Sequence, residues 1–175
     1  TDTEIKGGGV TNATVGGAIV AANAFEATGL TVSGNVAQLG GGIYANADTT
    51  LTNSLIKNNQ ATHASLGSGG GINVVRPTAS TFSTLILDNT DVTDNTSTVY
   101  GGGAGLGFGV TTTIRNGSAV DHNTAVAGGG IFNSGALTVR DSSVSDNSAS
   151  FQGGGLYNGS TVAADTPTLT LDGAA

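Results

Sequence analysis

Apolar and polar positions alternate with a period of two along several short stretches of this chain. Leu137 and Val139 punctuate Thr138 and Arg140, Leu85 and Leu87 precede Asp88 in the same way, and Leu51 stands before Asn53 in a third copy. Such alternation turns one side of a strand toward a core and the other toward water. No stretch repeats apolar residues at i, i+3 and i+4 over a helical length, so the pattern predicts strands and no helix.

The strands recur inside a longer period. Glycine triplets stand at 40–42, 69–71, 101–103, 128–130 and 153–155, their starts 25 to 32 residues apart. Upstream of each lies a tetrad that opens on Val or Ile and closes on Asn: Val32 to Asn35, Ile56 to Asn59, Val92 to Asn95, Val120 to Asn123 and Val144 to Asn147. Residues 7–19 read as an atypical opening copy and 168–172 as the first strand of a further one. A period of this size signals a solenoid or a propeller, and a propeller blade needs about 40 residues, more than one copy supplies. The copies instead fit single turns of a parallel β-helix. The expected fold is all-β, a single-stranded parallel β-helix of about six coils stacked about 4.8 Å apart, with residues 1–175 forming one domain or one segment of a longer solenoid.

In a stacked coil, equivalent residues form files along the axis. Glycine at a corner provides positive φ or close backbone approach and lets a wall bend around a thin core. Asn35, Asn59, Asn95, Asn123 and Asn147 are expected to form an inward structural ladder, since Asn suits turns and stacked amides bond along a file. The position before each Asn holds Gly34, Asn58, Asp94, His122 or Asp146. His122 is therefore expected between Asp94 and Asp146, in an exposed turn rather than a catalytic or metal site, as exposed ion pairs contribute about 0–1 kcal/mol.

Composition narrows the chemistry. The net charge is −7, and Lys6, Lys57, Arg76, Arg115 and Arg140 are scattered, without the basic stripe of a nucleic-acid protein. No apolar run is long enough for a membrane-spanning helix. Cysteine is absent, which excludes disulfides and thiolate metal sites, while abundant Thr, Ser, Asn and Gly suit an extracellular chain. The glycine triplets are not phosphate loops, because no helix and no lysine follow. Nor are they calcium-binding nonapeptides, because Gly107 stands where that motif needs Asp. Asp88, Asp91 and Asp94 form the densest acidic cluster, but strand residues three apart face opposite ways. No catalytic residue, metal site or cofactor is expected, and weak Ca2+ binding is left open.

Inserts account for the unequal coil lengths. One is "QATHASLGS" after Asn59; the others are 73–84 and 158–167, each with a proline. The proline-containing pair are expected as loops at one edge, with Val74, Val75, Arg76 and Phe82 as interaction residues.

"GGAI" at 16–19, with five [VI]-x-x-N tetrads each before "GGG[IL]" or a close variant, resembles the GGA[ILV]/FxxN repeats of polymorphic outer-membrane proteins. More broadly it resembles passenger regions of bacterial autotransporter adhesins. The likeness covers nearly the whole chain, with Val or Ile in place of Phe and GGG in place of most GGA. It implies a right-handed β-helix, an extracellular or cell-surface location, and structural or adhesive duty without enzymatic residues. Expected partners are neighbouring solenoid segments or a second copy, joined end to end through open strand edges, and a host surface or glycan. The rival reading is a polysaccharide-binding or polysaccharide-cleaving enzyme of the pectate-lyase-like kind, since a shared fold does not fix function.

Overall fold

A computed structural model describes residues 3–6, 14–78, 80–160 and 166–174. Among the described residues there are twenty-three strands and no helix. Every strand pairing is parallel, and the strands collect in four sheets, the walls of a solenoid.

In chain order, the first wall stacks Phe25–Thr28, Thr49–Thr52, Ser83–Asp88, Val110–Arg115, Ala136–Arg140 and Thr168–Asp172. The second wall stacks Thr3–Lys6, Leu30–Ser33, Leu55–Lys57, Asp91–Thr93, Ala119–Asp121 and Ser143–Ser145. The third is Val36–Ala37, Gln60–Ala61, Thr96–Ser97, Thr124–Ala127 and Ser148–Gln152. The fourth is Ile19–Ala21, Ile43–Ala45, Ile72–Val74, Ala104–Leu106, Ile131–Asn133 and Leu156–Asn158. With six strands on three walls and five on the other, the chain makes about five turns.

Aliphatic files from the walls fill the lumen. Val32, Ile56, Val92 and Val120 from the second wall meet Ile43, Ile72 and Ile131 from the fourth, all fully buried. The first wall adds Leu51, Leu87, Ile114 and Val139. At about 1.5–3 kcal/mol per buried aliphatic side chain, these files offset much of the ordering entropy of a chain with 30 glycines.

Each residue of a glycine triplet answers a different constraint, as 69–71 shows. Gly69 has φ of 62° at the corner, a left-handed conformation that costs other residues strain. A Cβ on Gly70 would collide with the carbonyls of Thr96 and Gly102 in the next coil. A Cβ on Gly71 would lie 3.0 Å from the Asn95 amide nitrogen and 2.8 Å from the Gly103 carbonyl.

The asparagines run in single file at the corner between the second and third walls. The Oδ1 of Asn95 accepts from the backbone N–H of Asn59 at 2.9 Å and from its Nδ2 at 3.0 Å. The Nδ2 of Asn95 donates to the Ile56 carbonyl at 2.9 Å and to Asn123 Oδ1 at 3.1 Å. The same scheme links Asn35 to Asn59 and Asn123 to Asn147. Both donors and both acceptor sites of an interior amide are thus used. The residue before each Asn is left-handed, with φ between 52° and 67° at Gly34, Asn58, Asp94, His122 and Asp146.

A second ladder, absent from the sequence reading, occupies the corner between the first and second walls. Ser54 Oγ accepts from the Leu30 N–H at 3.1 Å, Thr90 Oγ1 from Ser54 N–H at 3.2 Å, and Ser118 Oγ from Thr90 N–H at 2.9 Å. Left-handed residues precede these too, at Asn53, Asn89 and Gly117. Ser142 continues the file, but its buried hydroxyl has no hydrogen-bond partner among the described residues.

Candidate functional site

Ladders and lumen stiffen the solenoid; the fourth wall distinguishes one side of it. The middle residue of each strand there points outward, giving the column Val20, Tyr44, Asn73, Gly105, Phe132 and Tyr157. Of the five Phe and three Tyr of the chain, only Phe25 packs against the lumen from the first wall. The other seven lie on the outer face of the fourth wall or on the segments flanking it.

Phe132 anchors the cluster. Its ring stacks on Tyr157 with centroids 5.2 Å apart and planes at 12°, and tilts against Tyr100 at 4.5 Å. Such ring pairs contribute about 0.5–1.5 kcal/mol beyond area burial. One coil away Gly105 offers no side chain, and a Cβ there would strike the Ser68 hydroxyl, which is bonded to Asn73 Oδ1 at 3.1 Å. Asn73 and the Phe132–Tyr100 pair line an open cavity of about 280 Å³, together with Leu66, Phe108 and Ser134. A second cavity of about 200 Å³ shares Tyr100 and Phe132 and extends to Phe151. A third of about 200 Å³ shares Phe108 and Ser134 and extends to Phe82. The three form a row across the wall. Among the described residues, no Asp, Glu, Lys, Arg or His lines any of them. Burial raises the Tyr44 phenol above its ordinary pKa.

The rims come from the inserts. The segment 75–82 joins the fourth wall to the first, and its Arg76 guanidinium lies 4.5 Å from the Phe108 ring centroid, a cation–π contact. Val75 lines the central cavity, and Phe82, 72% exposed, lines the third. Val74 is a correction: it belongs to the strand Ile72–Val74, is fully buried in the lumen, and is no loop residue. Asn73, Ser83 and Thr84, also assigned to that insert, are strand residues. The equivalent insert 158–167 contributes Ser160 and Thr166, while 161–165 lie outside the described residues. The insert after Asn59, to which sequence reasoning gave no site, supplies Leu66. His63 braces that turn: its Nδ1 accepts from the N–H groups of Ser65 and Leu66 at 3.2 and 3.1 Å, and its carbonyl accepts from Thr98 Oγ1 at 2.7 Å.

The acidic cluster is dispersed. Asp88 ends a first-wall strand and pairs with Arg115 Nε at 2.8 Å and Asn116 Nδ2 at 2.9 Å. The Asn116 amide first, then the Arg115 guanidinium, hold its carboxyl below the ordinary carboxylate range. Asp91 opens a second-wall strand and Asp94 sits at the following corner. Among the described residues no group of three or more His, Asp or Glu converges as a metal site would require. His122 does occupy the corner file with Asp94 and Asp146, but its ring nitrogen lies 3.6 Å from the carboxylate of its own neighbour Asp121.

No protein-family model, curated protein or solved structure matches the chain. The fold, an all-parallel β-solenoid, therefore stands on the strand pairing alone.

Proposed function

We propose that this chain is a structural and adhesive module of an extracellular or cell-surface protein, a stiff solenoid that binds through its fourth wall and performs no chemistry. The observation carrying this reading is the gathering of seven of eight aromatic side chains, with all three inserts, on and around one wall. Binding residues concentrate on loops held by a rigid scaffold, and a large exposed apolar patch marks a contact surface. The repeat likeness to polymorphic outer-membrane proteins and autotransporter passengers supports the same duty and location. The test is adhesion of the purified chain to cells and polysaccharide-coated surfaces, beside a variant carrying Phe82→Ser, Phe108→Ser and Phe151→Ser. Loss of adhesion in the variant is expected; equal adhesion, or release of sugar products by the native chain, counts against the proposal.

End-to-end association is a second reading, favoured by one observation. Val144, Leu156, Leu169, Leu171 and Ala174 surround an apolar cavity of about 350 Å³ at the last coil, and Leu171 is 61% exposed. Apolar faces of solenoid coils are covered by stacking, whether the next coil belongs to the same protein or to a second copy. Sedimentation velocity should show association that rises with concentration and disappears in Leu171→Lys; a monomer at every concentration removes this reading.

A further inference from the structure

We infer that the row of cavities across the fourth wall binds a linear, uncharged polysaccharide, with sugar rings laid against aromatic faces. The inference rests on the adhesive reading above and names the partner of that face.

Four observations converge on this occupant. The floor is an interior stretch of sheet: Ala104–Leu106 is paired on one side with Ile72–Val74 and on the other with Ile131–Asn133. Its backbone groups are already spent, so an extended peptide cannot add as a strand, and recognition must come from side chains. The lining combines aromatic rings, Tyr100, Phe132 and Phe108, with the hydroxyl and amide groups of Ser68, Asn73 and Ser134. A pyranose ring matches that combination, having an apolar C–H face and a hydroxyl-bearing edge. No Asp, Glu, Lys or His lines the row among the described residues, and the guanidinium beside it, that of Arg76, lies against the Phe108 ring, so an occupant charged at every unit would leave most of its charges uncompensated out of water. Finally, each cavity is smaller than the roughly 300–1,000 Å³ of a site for a compact ligand, while neighbours share walls. That geometry suits a long occupant with one unit per cavity.

The Arg76–Phe108 contact fits the same occupant. With the guanidinium over Phe108, the ring is held in place at the junction of two cavities, and ordering it in advance lowers the cost of binding.

The experiment is isothermal titration of the full chain with neutral hexasaccharides (β-glucan, mannan and xylan types), an oligogalacturonate of equal length, and an uncharged extended peptide. Aromatic ¹H–¹³C spectra of Tyr100 and Tyr157 serve as the site-specific readout. At least one neutral hexasaccharide should bind and shift both tyrosine rings. Phe108→Ala should weaken it about tenfold, the scale of one truncated aromatic contact. Phe108 is 40% exposed and carries the Arg76 contact, so the variant's thermal unfolding is followed beside the binding and the affinity is read well below its midpoint. Phe151→Ala, at a residue 74% exposed, is the second variant and should cost less. No neutral binding, preferred binding of the uronate or the peptide, or unchanged affinity in both variants overturns the inference. If adhesion still depends on the aromatic face while no neutral glycan binds, this inference falls and the adhesive reading stands. If adhesion is also indifferent to that face, both fall.

Discussion

Two corners of the solenoid are built on one plan and differ in a single residue. Each follows a buried aliphatic side chain with an outward residue, a left-handed turn residue, and a side chain that caps the neighbouring coil. At the second-to-third corner the cap is Asn, as in Val92-Thr93-Asp94-Asn95; at the first-to-second corner it is Ser or Thr, as in Leu87-Asp88-Asn89-Thr90. The amide has two donors and two acceptor sites, so it reaches both neighbours at once. The hydroxyl accepts from one neighbour and returns its single proton to a nearby carbonyl, as Thr90 does with Leu51 or Asp88. The file of amides runs through all five members. The hydroxyl file admits an extra residue at Asn116-Gly117 and ends unbonded at Ser142. Continuity along the axis thus depends on a group that can donate and accept across both faces of its coil.

Substitutions at matched positions test that difference. Asn95→Ala should be the most damaging, removing the acceptor of the buried Asn59 N–H and of one Asn59 Nδ2 hydrogen together with the donor to the Ile56 carbonyl and Asn123 Oδ1. At about 1–3 kcal/mol for each buried unsatisfied group, a loss of about 4 kcal/mol is expected in urea unfolding. Asn95→Ser, which imports the other corner's cap, should cost less, about 2–3 kcal/mol; a loss as large as that of Ala would show that only the amide fits. Thr90→Val keeps the shape and orphans chiefly the Ser54 N–H, for about 1–2 kcal/mol. If Thr90→Val costs as much as Asn95→Ala, the ranking of the two corners is wrong. Asn89→Gly and Asn58→Gly, at left-handed positions of φ 46° and 54°, should shift stability by less than about 1 kcal/mol and by the same amount at both corners.

The smallest effect concerns acid. The Asp88 carboxyl is held below its ordinary pKa by Asn116 and Arg115. Its contribution is therefore present above the pKa of an unfolded aspartate and is lost as pH falls through the lower folded value. The pairing is exposed, so the change is slight; Asp88→Asn should lower stability slightly at neutral pH and flatten its fall below about pH 4, where the two proteins converge.

The amide corner was legible in the sequence, and the hydroxyl corner was not. Asn recurs at a fixed distance from Val or Ile and before glycine, whereas Ser54, Thr90 and Ser118 are submerged among the many exposed hydroxyl residues of the chain. Strand alternation marked Leu85, Leu87, Leu137 and Val139 correctly as lumen residues. Val74 was misassigned because Pro77 and a run of small residues follow it closely, while its own strand is only three residues long. The aromatic face escaped because its members come from different structural sources. Phe132 and Tyr157 share one column, Tyr100 precedes a glycine triplet, and Phe82, Phe108 and Phe151 lie on its flanks. Only coiling brings them together, and Gly105, the residue that opens the central slot, carries no signal of its own beside so many other glycines.

The amide file also bears on mechanical strength. A chain pulled by its ends peels coil from coil, and each detachment must break a pair of Asn-to-Asn bonds together with their sheet neighbours. Detaching a coil of 25 to 32 residues pays out roughly 80–110 Å of slack, so an anchored molecule would lengthen in discrete steps and dissipate work at each. Single-molecule pulling should record that staircase, with its steps weakened in Asn95→Ala; a single cooperative rupture would mean the coils do not yield one by one.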